Sequence, residues 1–126
     1  MAVTHNTTVR NSVADVVVDA IDVGGAGSIV FQDGGSSDSD VATLAFANPA
    51  FGDAASGVAT ANAITDDTNC NAGTVTKFTV FSGGAADIFT GSVTATGGGG
   101  DIILSSVAIG QGDTISISSL TYEAPN

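Results

Sequence analysis

Positive charge is almost missing from this chain. Two basic side chains, Arg10 and Lys77, stand against twelve Asp and one Glu, for a formal net charge of −11. Binding to DNA or RNA phosphates requires a basic footprint, so nucleic acid is not an expected partner. Tryptophan is absent, tyrosine occurs once and phenylalanine six times. Large core pieces are therefore few, and the aromatic faces that sugar-binding platforms use are scarce. The single cysteine, Cys70, has no partner for an internal disulfide. It lies in a polar stretch, DDTNCNAG, with no electropositive neighbour to lower its pKa. One histidine, His5, precedes every expected element, which leaves a catalytic triad or a zinc site almost nothing to build on. No apolar run approaches the ~18 residues of a membrane span. The N-terminal MAVTHNTTVRNSVADVVV lacks the basic-then-apolar pattern of a signal peptide. The expectation is a soluble product made in the cytoplasm, with no membrane partner.

What is present is glycine and alternation. With 126 residues, 17 of them glycine, the chain reads as one domain, 1–126, built of short strands and tight turns. One helix is expected first, over NTTVRNSVADVVVDAIDV (6–23). Val9, Val13, Val16, Val17, Ala20 and Ile21 recur at helical spacing and read as its inward face. Arg10, Asp15, Asp19 and Asp22 fall elsewhere. Asn6, Thr7 or Thr8 can cap the start, and Gly24 and Gly25 can end it. The valine triplet at 16–18 costs a few tenths of a kcal/mol per residue, which the spacing outweighs.

From residue 28 the period changes to two. Strands are expected at 28–32, 41–46, 58–64, 74–81, 88–95, 102–104 and 114–122, with SGGAAD closing a hairpin between 74–81 and 88–95. The fold class that follows is all-β, a β-sandwich or jelly-roll-like barrel over 28–122, with one N-terminal amphipathic helix. In the final TISISSLTYEAPN, alternation slips at Ser118 and Ser119. Either a β-bulge there keeps Leu120 and Tyr122 on the face of Ile115 and Ile117, or Leu120 and Tyr122 face the other way.

Chemistry is hard to find. Most Asp residues lie in turns or on the polar helix face, where they make local hydrogen bonds. DGGSSDSD (33–40) could offer oxygens to a hard cation but lacks the spacing and terminal Glu of an EF-hand, and reads as a solvated loop. Asp66 and Asp67 adjoin in another loop. GGAG at 24–27 follows a helix, the reverse of a dinucleotide fingerprint. GGGG at 97–100 has no Lys-Ser/Thr after it, so it is no P-loop. No catalytic, metal or cofactor residue is assigned, and the chain reads as a non-enzyme. Its acidity serves solubility, or docking on a basic partner surface.

Several stretches together resemble small structural proteins of tailed-bacteriophage particles: NSVADVVVDAID into GGAGSIVFQDG, LAFANPAFG with VATANAI, DIFTGSV, and the ending IGQGDTISISSLTY. The resemblance spans nearly the whole chain. It implies a capsid decoration (cement) protein that binds the major capsid protein lattice on the virion surface as a homo-oligomer, a homotrimer being the natural bridge. A tail or head–tail junction protein is the second expectation, and a carbohydrate-binding β-sandwich a third. On the decoration reading, residues 1–8 and TYEAPN are candidate contact arms. Arg10 and Lys77 are either interface ion-pair partners or ordinary exposed charges.

Overall fold

The computed structural model describes residues 3–35 and 39–124. It is all-β with a single N-terminal helix. Helix α1 (Thr7–Asp19) starts where Asn6 accepts the Val9 N–H at 2.9 Å and runs into one 3₁₀ turn, Ala20–Asp22. Among the described residues nine strands follow: β1 (Ser28–Gln32), β2 (Asp40–Ala45), β3 (Val58–Thr60), β4 (Gly73–Thr74), β5 (Lys77–Phe81), β6 (Asp87–Ala95), β7 (Ile102–Leu104), β8 (Ala108–Ile109) and β9 (Thr121–Glu123). Five make the main sheet, in the order β2-β1-β5-β6-β7, while β3 pairs with β9 and β4 with β8.

Register puts the core on one face of the main sheet. Ile29 lies between Leu44 and Val80, and Phe31 between Ala42 and Phe78. All six are buried and belong to one cluster, which also takes in Val18 and Ile21 from the helical segment, Phe51, Ala59, Cys70, Val75 and Ile115. Phe31 is fully buried, so its removal opens a cavity in the core, at about 3–5 kcal/mol.

The hairpin β5–β6 forms as its turn residues indicate, with a register shift at Val80/Phe81. The next connection is unusual. β6 and β7 are parallel, a pairing that ordinarily needs a crossover of about a dozen residues, yet only TGGGGD (96–101) joins them. Gly97 and Gly99 take positive φ, +90° and +75°, which lets the chain fold back on β6. Asp101 then locks the return. Its carboxylate accepts from the Ser92 N–H (3.0 Å) and Oγ–H (3.2 Å), and its own N–H donates to Ser92 Oγ (3.1 Å).

Three expectations need correction. The strand expected at 74–81 is broken, because Thr76 N–H turns aside to Gln32 O and Val75 N–H to Val107 O. The strand expected at 58–64 stops at Thr60; beyond it the chain makes single cross-links, Ala61 N–H to Leu120 O and Asn62 N–H to Ala50 O. The final strand of 114–122 does not form, with or without a bulge. Ile115 bridges to Asp67, residues 116–120 pair with no strand, and only Thr121–Glu123 joins a ladder, with β3. The slipped alternation at Ser118 and Ser119 marks a passage from one partner to another.

Candidate functional site

The largest departure from expectation is the rotation of α1. Its buried residues are Ala14, Val18 and, one turn on, Ile21. The valines that read as the inward face point outward: Val16 is 71% exposed and Val9 43%. Val13 and Val17 are half-buried and, with Ser12 and Val16, shape a shallow apolar hollow of about 260 Å³. Val23, just past the 3₁₀ turn, is 66% exposed.

Polar side chains set this rotation. Asn11, Asp15 and Asp22 recur four and seven residues apart, which at 3.6 residues per turn places them on one side. Each accepts a backbone N–H from the loop across from the helix: Asn11 from Gly57 (2.7 Å), Asp15 from Ala54 (2.7 Å) and Asp22 from Ala50 (2.9 Å). A loop packed under a helix has few other acceptors for its amides, and an unpaired buried N–H is costly. Satisfying these three donors fixes which face of α1 looks inward. The valine stripe, nearly half a turn from those three side chains, is left outside.

Arg10 anchors the same junction. Its guanidinium reaches Glu123 Oε1 at 3.3 Å and Ala124 O at 3.4 Å, and only 17% of its side chain is exposed. It is neither a surface charge nor free for a partner, but a strut inside the fold. The C-terminal segment is correspondingly built in rather than an arm: Tyr122 is half-buried and Ala124 buried, with its N–H on Gly57 O at 2.9 Å. At the other end, residues 7 and 8 belong to α1 and residues 3–6 are exposed. Residues 1, 2, 125 and 126 lie outside the described residues.

The other singled-out residues serve the scaffold. His5 is exposed, one residue ahead of the helix cap. Cys70 is fully buried. Burial, and then the carboxylates of Asp67 and Asp113, raise its thiol above the ordinary value. Asp67 accepts from the Thr43 N–H and the Asn69 N–H (both 2.9 Å). In the 33–40 loop Asp33 accepts from the N–H groups of Gly35 and Ser39, and Asp40 from Gln32. Residues 36–38, including Asp38, lie outside the described residues. Among the described residues no three His, Cys, Asp or Glu side chains gather to hold a metal ion, and no helix is long and apolar enough to cross a membrane.

Three clefts adjoin at β7 and the segment before β9. One of about 490 Å³ is lined by Phe78, Phe89, Tyr122, Asp101 and Glu123. Its rings pack on one another, Phe78–Phe89 edge-on at 6.2 Å and Phe89–Tyr122 tilted at 5.4 Å. The other two, about 340 and 430 Å³, lie between β7 and residues 113–121. No such feature was visible in the sequence, where 114–122 read as a strand. Nor do comparisons supply an analogue: no family model, no curated protein and no solved structure matches this chain.

Proposed function

We propose that this chain is a structural protein of a tailed-phage particle, without enzymatic activity, that decorates and stabilises the capsid by binding the major capsid protein lattice. The observation that carries the reading is the outward stripe of Val9 and Val16, bordered by the half-buried Val13 and Val17. Valines on a solvent-facing helix stripe add nothing to the fold's own core, and they cost helix propensity. On a surface otherwise rich in carboxylates, such a stripe is an anchor for another protein surface. Each valine that becomes fully covered contributes on the order of 1.5 kcal/mol. The surrounding net charge of −11 keeps free copies apart until a complementary surface is met.

A decoration protein of this kind works by mass action. It binds the assembled lattice better than free subunits, so occupancy stabilises the assembled state by RT ln(1 + [L]/Kd). A homotrimer at three-fold positions would let one subunit surface meet equivalent lattice sites. Copy number tests this directly, by quantitative mass spectrometry of purified particles normalised to the major capsid protein. The expected result is on the order of hundreds of copies, as lattice symmetry demands. About a dozen or fewer would move the protein to the neck or tail, and absence from the particle would overturn both.

A further inference from the structure

The two edges of the main sheet are finished differently. Along β2, segment 65–71 supplies the missing partners. Thr65 N–H donates to Ala45 O (2.9 Å), Asn71 N–H to Val41 O (2.8 Å), and Asp67 accepts from Thr43 N–H (2.9 Å). Along β7 there is no such cover among the described residues. Ile102, Ile103 and Leu104 make no backbone bond beyond their ladder with β6, and Ser116, Ile117, Ser118 and Ser119 opposite make none at all. Between these walls lies the trough, whose two clefts share Ile103, Leu104 and Ser116.

An uncovered edge strand is a template for another strand, and proteins usually blunt it with lysine, proline or a bulge. β7 carries none of these, and shortness is its one protection, since it runs for three residues. We infer that the trough receives an extended, cationic segment of a partner protein, which adds to the sheet as a strand beside β7. Backbone pairing on the free edge supplies the affinity. Ile103, 48% exposed, offers an apolar contact to the side chain beside it on the incoming strand. Charge defines the rest of the occupant: Asp101 lines one cleft and Asp113 the other. A second copy of this chain is a poor match. It brings thirteen carboxylate side chains against two basic ones, and both of those are engaged, Arg10 with Glu123 and Lys77 as well. The inference does not depend on the helix stripe or on a virion, so either reading can fail alone.

The experiment uses the purified full chain and a capped synthetic peptide of about eight residues, strand length, alternating valine with lysine. Amide hydrogen exchange is followed by NMR. The backbone amides of 103–105 that are not bonded to β6, and those of 116–119, exchange freely without peptide, and those that face the added strand slow about fivefold or more when it binds, as a new hydrogen bond requires. The effect weakens with added salt. It is lost with a valine–glutamate peptide, and with a valine–lysine peptide N-methylated at alternate amides. Ile103→Lys, at an exposed position, weakens binding at least fivefold while the thermal midpoint stays put. Peptide-free protection of both walls overturns the inference, as does equal slowing by the N-methylated peptide or no slowing at millimolar peptide. Protection that rises with protein concentration would assign the edge to a second copy and overturn it too.

Discussion

The carboxylate of Asp15 on α1 accepts the backbone N–H of Ala54, 39 residues along the chain, at 2.7 Å. With the parallel bonds from Asn11 and Asp22, it turns the helix so that polar groups and small apolar ones face the body together. A helix docked through backbone amides has a defined rotation, whereas one docked through valines alone could slide.

Asp15→Ala should therefore cost about 1–3 kcal/mol, the penalty of stranding a partly buried N–H. Asp15→Asn keeps an acceptor oxygen and should lose less. Urea unfolding followed by circular dichroism separates the two. Equal stability of Asp15→Ala and the parent would remove the bond from the account of how α1 is oriented.

Gly57 sits at φ +79°, and a Cβ there would lie 2.7 Å from the Arg10 guanidinium carbon. Gly57→Ala combines the left-handed penalty, about 1–2 kcal/mol, with displacement of Arg10 from Ala124 O. Glu123→Gln touches the same junction but should cost under ~1 kcal/mol, because the Glu123 side chain is 69% exposed and solvent screens the pair. Thermal unfolding should rank the glycine variant clearly below the glutamate variant.

Much of this architecture was legible in the chain. The change from helical to strand period at residue 28, the Asn6 cap and the SGGAAD hairpin are local signals, and each element formed where its signal lay. The errors came where a local pattern was overruled by a distant partner. The valines of α1 are as regularly spaced as a core stripe, and nothing nearby reveals that loop amides 40 or so residues on favour the side bearing Asn11 and Asp15. The recurrence of Asn11, Asp15 and Asp22 on one side was the available clue. Likewise TISISSLTY alternates like a strand, but a strand needs a neighbour, and residues 116–119 join no ladder or bridge among the described residues.

Cys70 offers a chemical check on the core. Buried completely and flanked by carboxylates, its thiol ionises above the ordinary value of 9.0. Alkylation by iodoacetamide at neutral pH should proceed at the rate of global opening rather than that of a free thiol. The sign for stability follows. The unfolded chain ionises first as pH rises, so the thiol's contribution is complete below about pH 9 and fades as pH climbs toward the folded value. Cys70→Ala should lower stability at neutral pH by loss of packing, yet flatten the decline at alkaline pH. An unchanged alkaline slope would mean that other groups govern it.

The valine stripe separates a structural role from a binding one. If Val9 and Val16 serve the fold, changing both to glutamine must destabilise it. If they serve a partner, the same change should leave stability level or raise it by a few tenths of a kcal/mol, because glutamine is the better helix former. Binding would then fall by about 3 kcal/mol for two lost apolar anchors, roughly a hundredfold in affinity. Co-sedimentation with capsids depleted of this protein, set beside a melting curve, reads both quantities. Loss of stability with binding intact would return the stripe to the fold and leave the decoration reading without its anchor.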